Sequence, residues 1–390
     1  MKKLFQSKYL TMLGFLCVLG VMFLFAVLPV RQGFMRMMDH YRDTGEIDFG
    51  IVETEYIDSF KGKDGFLNLN GAYQRLMGAR VLNERYKLDN GHLTYIIPRH
   101  DMQEIASQTV LFRDVLEEQG IPLVYVNTPF KIHSQDKQLP VSIEDYSNEN
   151  ADEFLSILED AGVTVLDLRQ NIAREGIDHY DMYYKTDHHW TAESGLWAAG
   201  RITEFLALLD ADFRVNSDLL DPTRFNYNVY ENIFLGSAGR RTGSLYSGKD
   251  DFTVITPTFE TQFLLNGDSD EIVREGDFRE VFIDESKLTA ENQLEANTYQ
   301  TYCGKNFAEV EITNSGSEAT PKKILLIRDS YSDVLIPFLA LGYEQLNALD
   351  LRLCQDVMDY VEQCDPDLVM VVYNPGVFET HNFVMFDFVR

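Results

Sequence analysis

The sequence predicts an α/β fold: a parallel sheet flanked by helices, with an inserted β-rich lobe and an N-terminal transmembrane helix. Three observations predict it. Short apolar runs alternate with amphipathic segments before about residue 213 and again after about residue 320. Strands and helices alternating at this spacing pair in parallel and are covered on both faces. Between them, Gly, Asn, Ser and Thr are frequent and only short alternating runs occur, as in an inserted β-rich lobe. Finally, Tyr9 to Val30 is a 22-residue run without a charge.

A bilayer core is spanned by about 20 apolar helical residues. Lys2, Lys3 and Lys8 precede the run and Arg31 and Arg36 follow it, a bias that places the N-terminus inside and the bulk of the chain outside. The run is long for a signal-peptide core and no small-residue cleavage site follows it, which favours an uncleaved signal anchor over a cleaved signal or a buried helix. The expected organisation is a cytoplasmic tip and anchor over 1–31, a stalk and connecting segment over 32–97, and an extracytoplasmic α/β domain over 98–390, with the protein at the cell membrane.

Within the domain, Gln103 to Gln119 has helical spacing and Gly120 stops it. Ile121 to Val126 reads as a buried strand ended by Pro129, residues 151–161 as a helix, and Val163 to Leu168 as a second strand. Thr191 to Leu209 is a long amphipathic helix with Thr191 as its N-cap. In the inserted stretch, Phe252 to Ile255 and Glu280 to Ile283 alternate as strands do. The α/β rhythm then returns: strand Lys323 to Ile327, helix Tyr331 to Ala340, strand Gln345 to Leu349, helix Leu353 to Gln363, strand Leu368 to Tyr373.

The formal charge of −28 excludes a nucleic-acid partner, since such binding rests on Lys and Arg against phosphates. A neutral or weakly charged polymer remains compatible with it. The cysteines, Cys17, Cys303, Cys354 and Cys364, form no CxxC pair, which argues against a structural zinc site. One disulfide among the last three is compatible with the count.

Reactive side chains concentrate in two places. One is Tyr183-Tyr184-Lys185-Thr186-Asp187-His188-His189-Trp190-Thr191, just before a long helix. The other is an apolar strand followed by Arg328-Asp329-Ser330 and a helix. A serine at such a turn sits at the carboxyl edge of a parallel sheet, where open α/β folds bind ligands, and its own N–H is placed to meet an oxyanion. Read alone, the pattern more often describes a helix-capping serine. The histidine segment shifts that balance. A serine hydroxyl needs a base, and the base an orienting carboxylate. In extended backbone Asp187 and His189 point to the same side and His188 away. Asn374, closing the strand before Pro375-Gly376, is placed to donate to the same oxyanion; it equally suits a turn. Asp-His-His is also a metal-binding pattern, but no further acidic ligand segments with suitable spacing accompany it. No cysteine has the context of a nucleophile. Neither metal nor cofactor is expected.

The chain resembles the DHHW protein family and, more distantly, the alginate O-acetylation proteins with SGNH-hydrolase-like domains. The resemblance rests on Tyr184-Lys185-Thr186-Asp187-His188-His189-Trp190-Thr191, Arg328-Asp329-Ser330-Tyr331, Pro337-Phe338-Leu339, Asp350-Leu351-Arg352 and Tyr373-Asn374, and runs from about Gly62 to the end. It implies an SGNH-like sheet in permuted motif order, because the Asp/His pair precedes the serine. It implies Ser330 as nucleophile, His189 as base, Asp187 as orienting acid, Ser330 and Asn374 at the oxyanion, and Arg352, Tyr331 and Trp190 against substrate. Two departures stand out: Arg328 replaces the glycine of a Gly-Asp-Ser block, and Asp350-Leu351-Arg352 occupies the place of the oxyanion glycine. The implied activity is O-acetylation of an exported or cell-surface polysaccharide through an acyl-serine, with a membrane-bound O-acyltransferase as the partner that delivers the acyl group. The rivals are an SGNH-type polysaccharide deacetylase and a non-catalytic polysaccharide-binding or assembly protein.

Overall fold

The computed structural model describes residues 2–59, 62–135, 138–269, 271–291, 293–316, 319–354 and 357–379; the expected end of the domain, 380–390, lies outside the described residues. The chain divides into two compact units, Met1–Tyr73 and Gln74–Arg390.

In the first unit, α1 (Lys2–Thr44) takes in the whole uncharged run and contains Pro29; α2 (Gly50–Ser59) follows. Gly33 lets these helices approach closely, since a Cβ there would lie 2.7 Å from Val52 Cα. Leu10, Phe23 and Leu24 are exposed on α1. Among the described residues, no helix is long and apolar enough to cross a membrane. The segment expected to be a plain stalk holds α2, α3 (Lys63–Leu76) and a small antiparallel sheet of β1 (Val81–Leu82), β2 (Arg85–Lys87) and β3 (Leu93–Thr94).

The second unit is built on an eight-stranded sheet. Its parallel half contains β4 (Leu123–Asn127) and β5 (Thr164–Asp167), with α4 (Gln103–Glu118) before them, α5 (Ser147–Asp160) between them, and α6 (Leu168–Glu175) and α7 (Ala192–Leu209) after them. Thr191 caps α7, its hydroxyl accepting the Ser194 N–H at 3.2 Å. Next come β6 (Phe225–Phe234), the short helices α8 (Ser237–Thr242) and α9 (Ser244–Ser247), β7 (Asp250–Pro257), β8 (Phe263–Gly267), β9 (Ile272–Gly276) and α10 (Phe278–Phe282). The chain finishes with β10 (Glu309–Asn314), β11 (Thr320–Arg328), α11 (Ile336–Ala340), β12 (Tyr343–Leu349), α12 (Val357–Cys364) and β13 (Leu368–Tyr373).

The strand order is β5-β4-β13-β11-β12-β10-β8-β9. The first five are parallel and the last three antiparallel to their neighbours. The inserted stretch is therefore only partly a separate lobe: β6 and β7 pair with each other, while β8, β9 and β10 extend the main sheet. Side chains of the central strands alternate between two cores. Ile324, Leu326, Met370 and Val372 join the core under α7 and α11; Leu325, Ile327, Val369 and Val371 join the core under α4, α5 and α12. Burial on both faces is what makes these strands read as continuous apolar runs.

Two local expectations are corrected. Glu280 to Ile283 is largely helix, because Asp277 and Glu280 form a capping box around the first turn of α10. The helix expected over Tyr331 to Ala340 is a 3₁₀ turn, Ser330–Val334, followed by α11 with Pro337 in its first turn.

Candidate active site

The serine turn is fixed at the carboxyl edge of the sheet. Asp329 follows β11; its Oδ1 accepts the Tyr331 N–H at 2.9 Å and its Oδ2 the Asn374 N–H at 2.7 Å. One carboxylate thus caps the 3₁₀ turn and ties the ends of two neighbouring strands. Beneath it, the Arg328 guanidinium is almost wholly buried. It donates to Asp333 Oδ1 at 2.9 Å, to Phe307 O at 2.8 Å and to Asn306 Oδ1. Burial pushes the Asp333 carboxyl up to about 6 against the opposing pull of Arg328. This network explains why an arginine stands where a glycine was expected: its side chain runs into the core and anchors the turn from below.

The histidine loop is the connection from α6 into α7. An antiparallel bridge between Tyr183 and Trp190 closes its neck. Inside the neck, Asp250 accepts the Lys185 N–H at 2.9 Å, the Thr186 N–H at 2.7 Å and the Thr186 hydroxyl at 2.6 Å. Gly236 lies against the loop so closely that a Cβ there would stand 2.3 Å from Asp187 Cβ.

Loop and turn meet at one hydrogen bond. His189 Nε2 is 2.8 Å from Ser330 Oγ, and His189 Nδ1 is 2.6 Å from Asp187 Oδ1. Asp187 Oδ1 also accepts the His189 backbone N–H at 2.9 Å, and Oδ2 accepts the Ser237 N–H. Burial alone would raise the Asp187 carboxyl; His189, His188 and these hydrogen bonds outweigh it and hold it well below the usual carboxylate range. The Tyr299 ring stacks on His189 with centroids 4.0 Å apart and planes 11° apart.

His188 does not turn to the opposite side as an extended backbone would have it. The loop folds back through the Asp187 carboxylate onto the His189 N–H, an Asx-turn rather than a strand. The two imidazoles lie with centroids 3.8 Å apart, and His188 Nδ1 sits 2.7 Å from Ser237 Oγ. Burial and the neighbouring His189 push the His188 imidazole down to about 3, so it is neutral at ordinary pH.

The remaining expected site residues are placed differently. Asn374 is buried with both amide protons engaged, by Thr128 Oγ1 at 3.3 Å and Pro129 O at 2.6 Å, and its Oδ1 accepts the Gly376 N–H at 2.9 Å. It braces the strand ends and holds no proton free for an oxyanion in this arrangement. Trp190 is fully buried and donates to Tyr331 O at 2.8 Å. Tyr331 is buried too, its hydroxyl donating to His188 O. These two aromatics bridge the loop and the turn instead of facing a ligand. Arg352 is paired with Asp350, Nε to Oδ1 at 2.8 Å, with about a third of its side chain exposed. Sequence reasoning passed over Asp250, Gly236, Ser237, Tyr299 and Lys131, all on segments remote from either motif.

One donor atom each from Asp187, His188 and His189 lie within 4.8 Å of one another, close enough to hold a metal ion. Two of the three residues are already engaged: both Asp187 oxygens accept hydrogen bonds, and both His189 nitrogens have partners. The arrangement fits a proton relay better than a metal centre. Among the described residues the four cysteines are free thiols, and burial pushes the Cys303 thiol up to about 12, which makes it a poor nucleophile.

Residues 95–217 match a family profile described as the SGNH hydrolase-like domain of the acetyltransferase AlgX. The likeness to an SGNH hydrolase-like domain covers this stretch of the chain. The matched stretch contains Asp187 and His189, and Ser330 lies beyond it. Among solved structures, Bacillus cereus PatB1, determined with a sulfonyl adduct, is 20% identical with a TM-score of 0.63, over 78% of this chain and 97% of that one. A DHHW family protein from Eubacterium siraeum is 18% identical with a TM-score of 0.59, over 78% and 95% of the two chains. These likenesses agree in fold with the resemblance drawn from the motifs. A search of curated proteins finds no significant match.

Proposed function

We propose that the protein transfers an acyl group, acetyl in the first instance, onto a hydroxyl of an exported or cell-surface polysaccharide. The observation that carries this reading is the unbroken chain from Ser330 Oγ to His189 at 2.8 Å and from His189 to Asp187 at 2.6 Å. In the first half-reaction Ser330 Oγ attacks the acyl carbonyl and its proton passes to His189 Nε2. The leaving group takes that proton back, and the acyl group stays on Ser330 as an ester. In the second half, His189 accepts the proton of an incoming sugar hydroxyl, whose oxygen attacks the ester, and Ser330 regains its proton. Asp187, held ionised, keeps His189 oriented and stabilises its charged form. With Asn374 engaged elsewhere, Ser330's own N–H is the donor we assign to the oxyanion.

The match to the SGNH hydrolase-like domain of an acetyltransferase supports this reaction class. We place the domain outside the cytoplasm, tethered through α1, whose uncharged run carries exposed apolar side chains. Acetyl-CoA is cytosolic, so an outward-facing domain receives its acyl group from a membrane partner, and a membrane-bound O-acyltransferase fits that role.

The test offers purified protein 4-nitrophenyl acetate with and without neutral oligosaccharides. Acetylated sugar, formed at the expense of free acetate, supports the transferase. Acetate released at the same rate with or without sugar identifies a deacetylase instead. Sugar binding without turnover of the ester would leave only a binding protein.

A further inference from the structure

Lys131 lies four residues beyond β4 and its side chain is fully buried. Its Nζ is 2.6 Å from Tyr184 O, 2.6 Å from Asp187 O, 2.7 Å from Leu93 O and 3.2 Å from Lys185 O. An ammonium has three N–H donors and no acceptor. Here they are shared by four main-chain carbonyls, three of them from the histidine loop. The loop's N–H groups turn the other way: those of Lys185 and Thr186 point to the Asp250 carboxylate. Between these carbonyls, Thr186 O accepts the Gly239 N–H at 2.8 Å. The loop is therefore held between a cation that collects its C=O groups and an anion that collects its N–H groups. Besides the bridge at the neck, the Leu93 N–H of β3 donates to Lys185 O at 2.8 Å.

We infer that Lys131 is a positioning residue for the acyl-transfer relay: its ammonium gathers the carbonyls of Tyr184, Lys185 and Asp187 to one point and so sets the direction in which Asp187 presents its carboxylate to His189. The inference rests on the proposed function. Its physical basis is that four carbonyl dipoles pointing at one buried spot repel one another unless a positive charge sits there. Lys185 O also has the Leu93 N–H; a neutral side chain of the same length withdraws the Lys131 donor from the other three acceptors, at a cost per buried group that a loop with little regular pairing meets by rearranging. Burial works against the charge and pushes the Lys131 ammonium down to about 7, with Asp250 and Asp187 opposing that shift. His92, Lys185 and His179 also act nearby, and His179 Nε2 lies 3.2 Å from Lys131 O.

The experiment uses the full chain. Lys131→Ala removes three carbons and the nitrogen, the atoms of n-propylammonium. Two readouts are followed: the acylation rate by 4-nitrophenyl acetate per folded molecule, and the downfield proton resonance of the His189 Nδ1–H bonded to Asp187. A relay displaced by about an ångström loses on the order of 10²-fold in rate. That loss is expected in Lys131→Ala, with the imidazole resonance gone. Added n-propylammonium should restore both, and 1-propanol, similar in size but uncharged, should restore neither. Equal rescue by 1-propanol would show that only volume matters and overturn the inference. So would a folded Lys131→Ala protein within about threefold of the native rate. Should Lys131→Ala not fold, Lys131→Met fills the space without the charge. It is expected to lose the resonance, and keeping it would overturn the inference. The resonance needs no turnover, so Lys131 is tested even if the native protein proves unable to acylate Ser330, a result that would count against the proposed function alone.

Discussion

The serine turn and the histidine loop meet at a single hydrogen bond, yet they are held by different means. The turn grows out of β11, a central strand, and is pinned by side chains close to it in sequence: Asp329 caps it, and Arg328 pairs with Asp333 beneath it. The loop has one bridge at its neck and otherwise depends on distant groups, with Lys131 inside, Asp250 outside, and Gly236 and Ser237 against Asp187. A sheet edge orders Ser330 once the strands pair. His189 has no such scaffold, and charge from elsewhere in the chain supplies the order of its loop. Damage to the turn should therefore appear mainly as lost stability, and damage to the loop as lost rate per folded molecule.

The largest effect on rate is expected from His189→Ala, which removes the base and should slow Ser330 acylation by about 10²–10⁴-fold while the melting temperature changes little. A variant that stays within a few-fold of the native rate would mean that His189 is not the base. On the turn side, Arg328→Met leaves Asp333 buried without its partner, and breaking such a pair costs about 3–5 kcal/mol. Chemical denaturation should show that loss, while molecules that remain folded acylate at near the native rate. A stable Arg328→Met protein with a crippled rate would erase the distinction between the two regions.

Gly236→Ala forces a methyl group against Asp187, and overpacking of this kind costs about 1–3 kcal/mol. Because the displaced atom belongs to the relay, the rate should fall more than the stability. The His188 imidazole offers a pH test. Its folded value, about 3, lies below the ordinary 6.5, so its contribution to stability is present above pH 6.5 and is lost as pH falls toward 3. Replacing His188 by Phe should flatten the slope of stability against pH in that window, and an unchanged slope would contradict the neutral assignment. The smallest effect is expected from Tyr299→Phe. It keeps the ring stacked on His189 and loses only a 3.3 Å hydrogen bond to Tyr331 O, worth about 1 kcal/mol or less. A large loss would mean that the hydroxyl, not the stack, supports the base.

The same contrast governs what could be read from the sequence. The parallel core was legible because β4, β5, β11, β12 and β13 are short apolar runs with turn residues at their ends, and Ser330 was legible because strand–turn–helix is a local pattern. Asp187 and His189 stood out through their Asp-x-His spacing, and the structure brings them together with Ser330. The supporting residues were not legible. Lys131 and Asp250 look like ordinary surface charges in sequence, and only the fold shows Lys131 buried, and Asp250 half-buried, against the loop. Trp190 and Tyr331 lie inside motifs expected to face substrate, and Asn374 in one expected to face the oxyanion; the burial of the two aromatics reflects packing between segments about 140 residues apart, and that of Asn374 its bonds to Thr128 and Pro129, which no local pattern encodes. The extension of the sheet by β8, β9 and β10 escaped notice for a related reason, since alternating antiparallel strands do not reveal which sheet they join. Leu353 to Gln363 was read as one helix; α12 begins at Val357.

The central claim is that Ser330 is an activated nucleophile, and its most direct test is peptide mass spectrometry of the protein after brief exposure to 4-nitrophenyl acetate. The account predicts one acetyl group on the peptide spanning Arg328 to Tyr331, absent from Ser330→Ala and strongly reduced in His189→Ala. Acetyl groups found only on lysines, at the same level in native protein and Ser330→Ala, would contradict it.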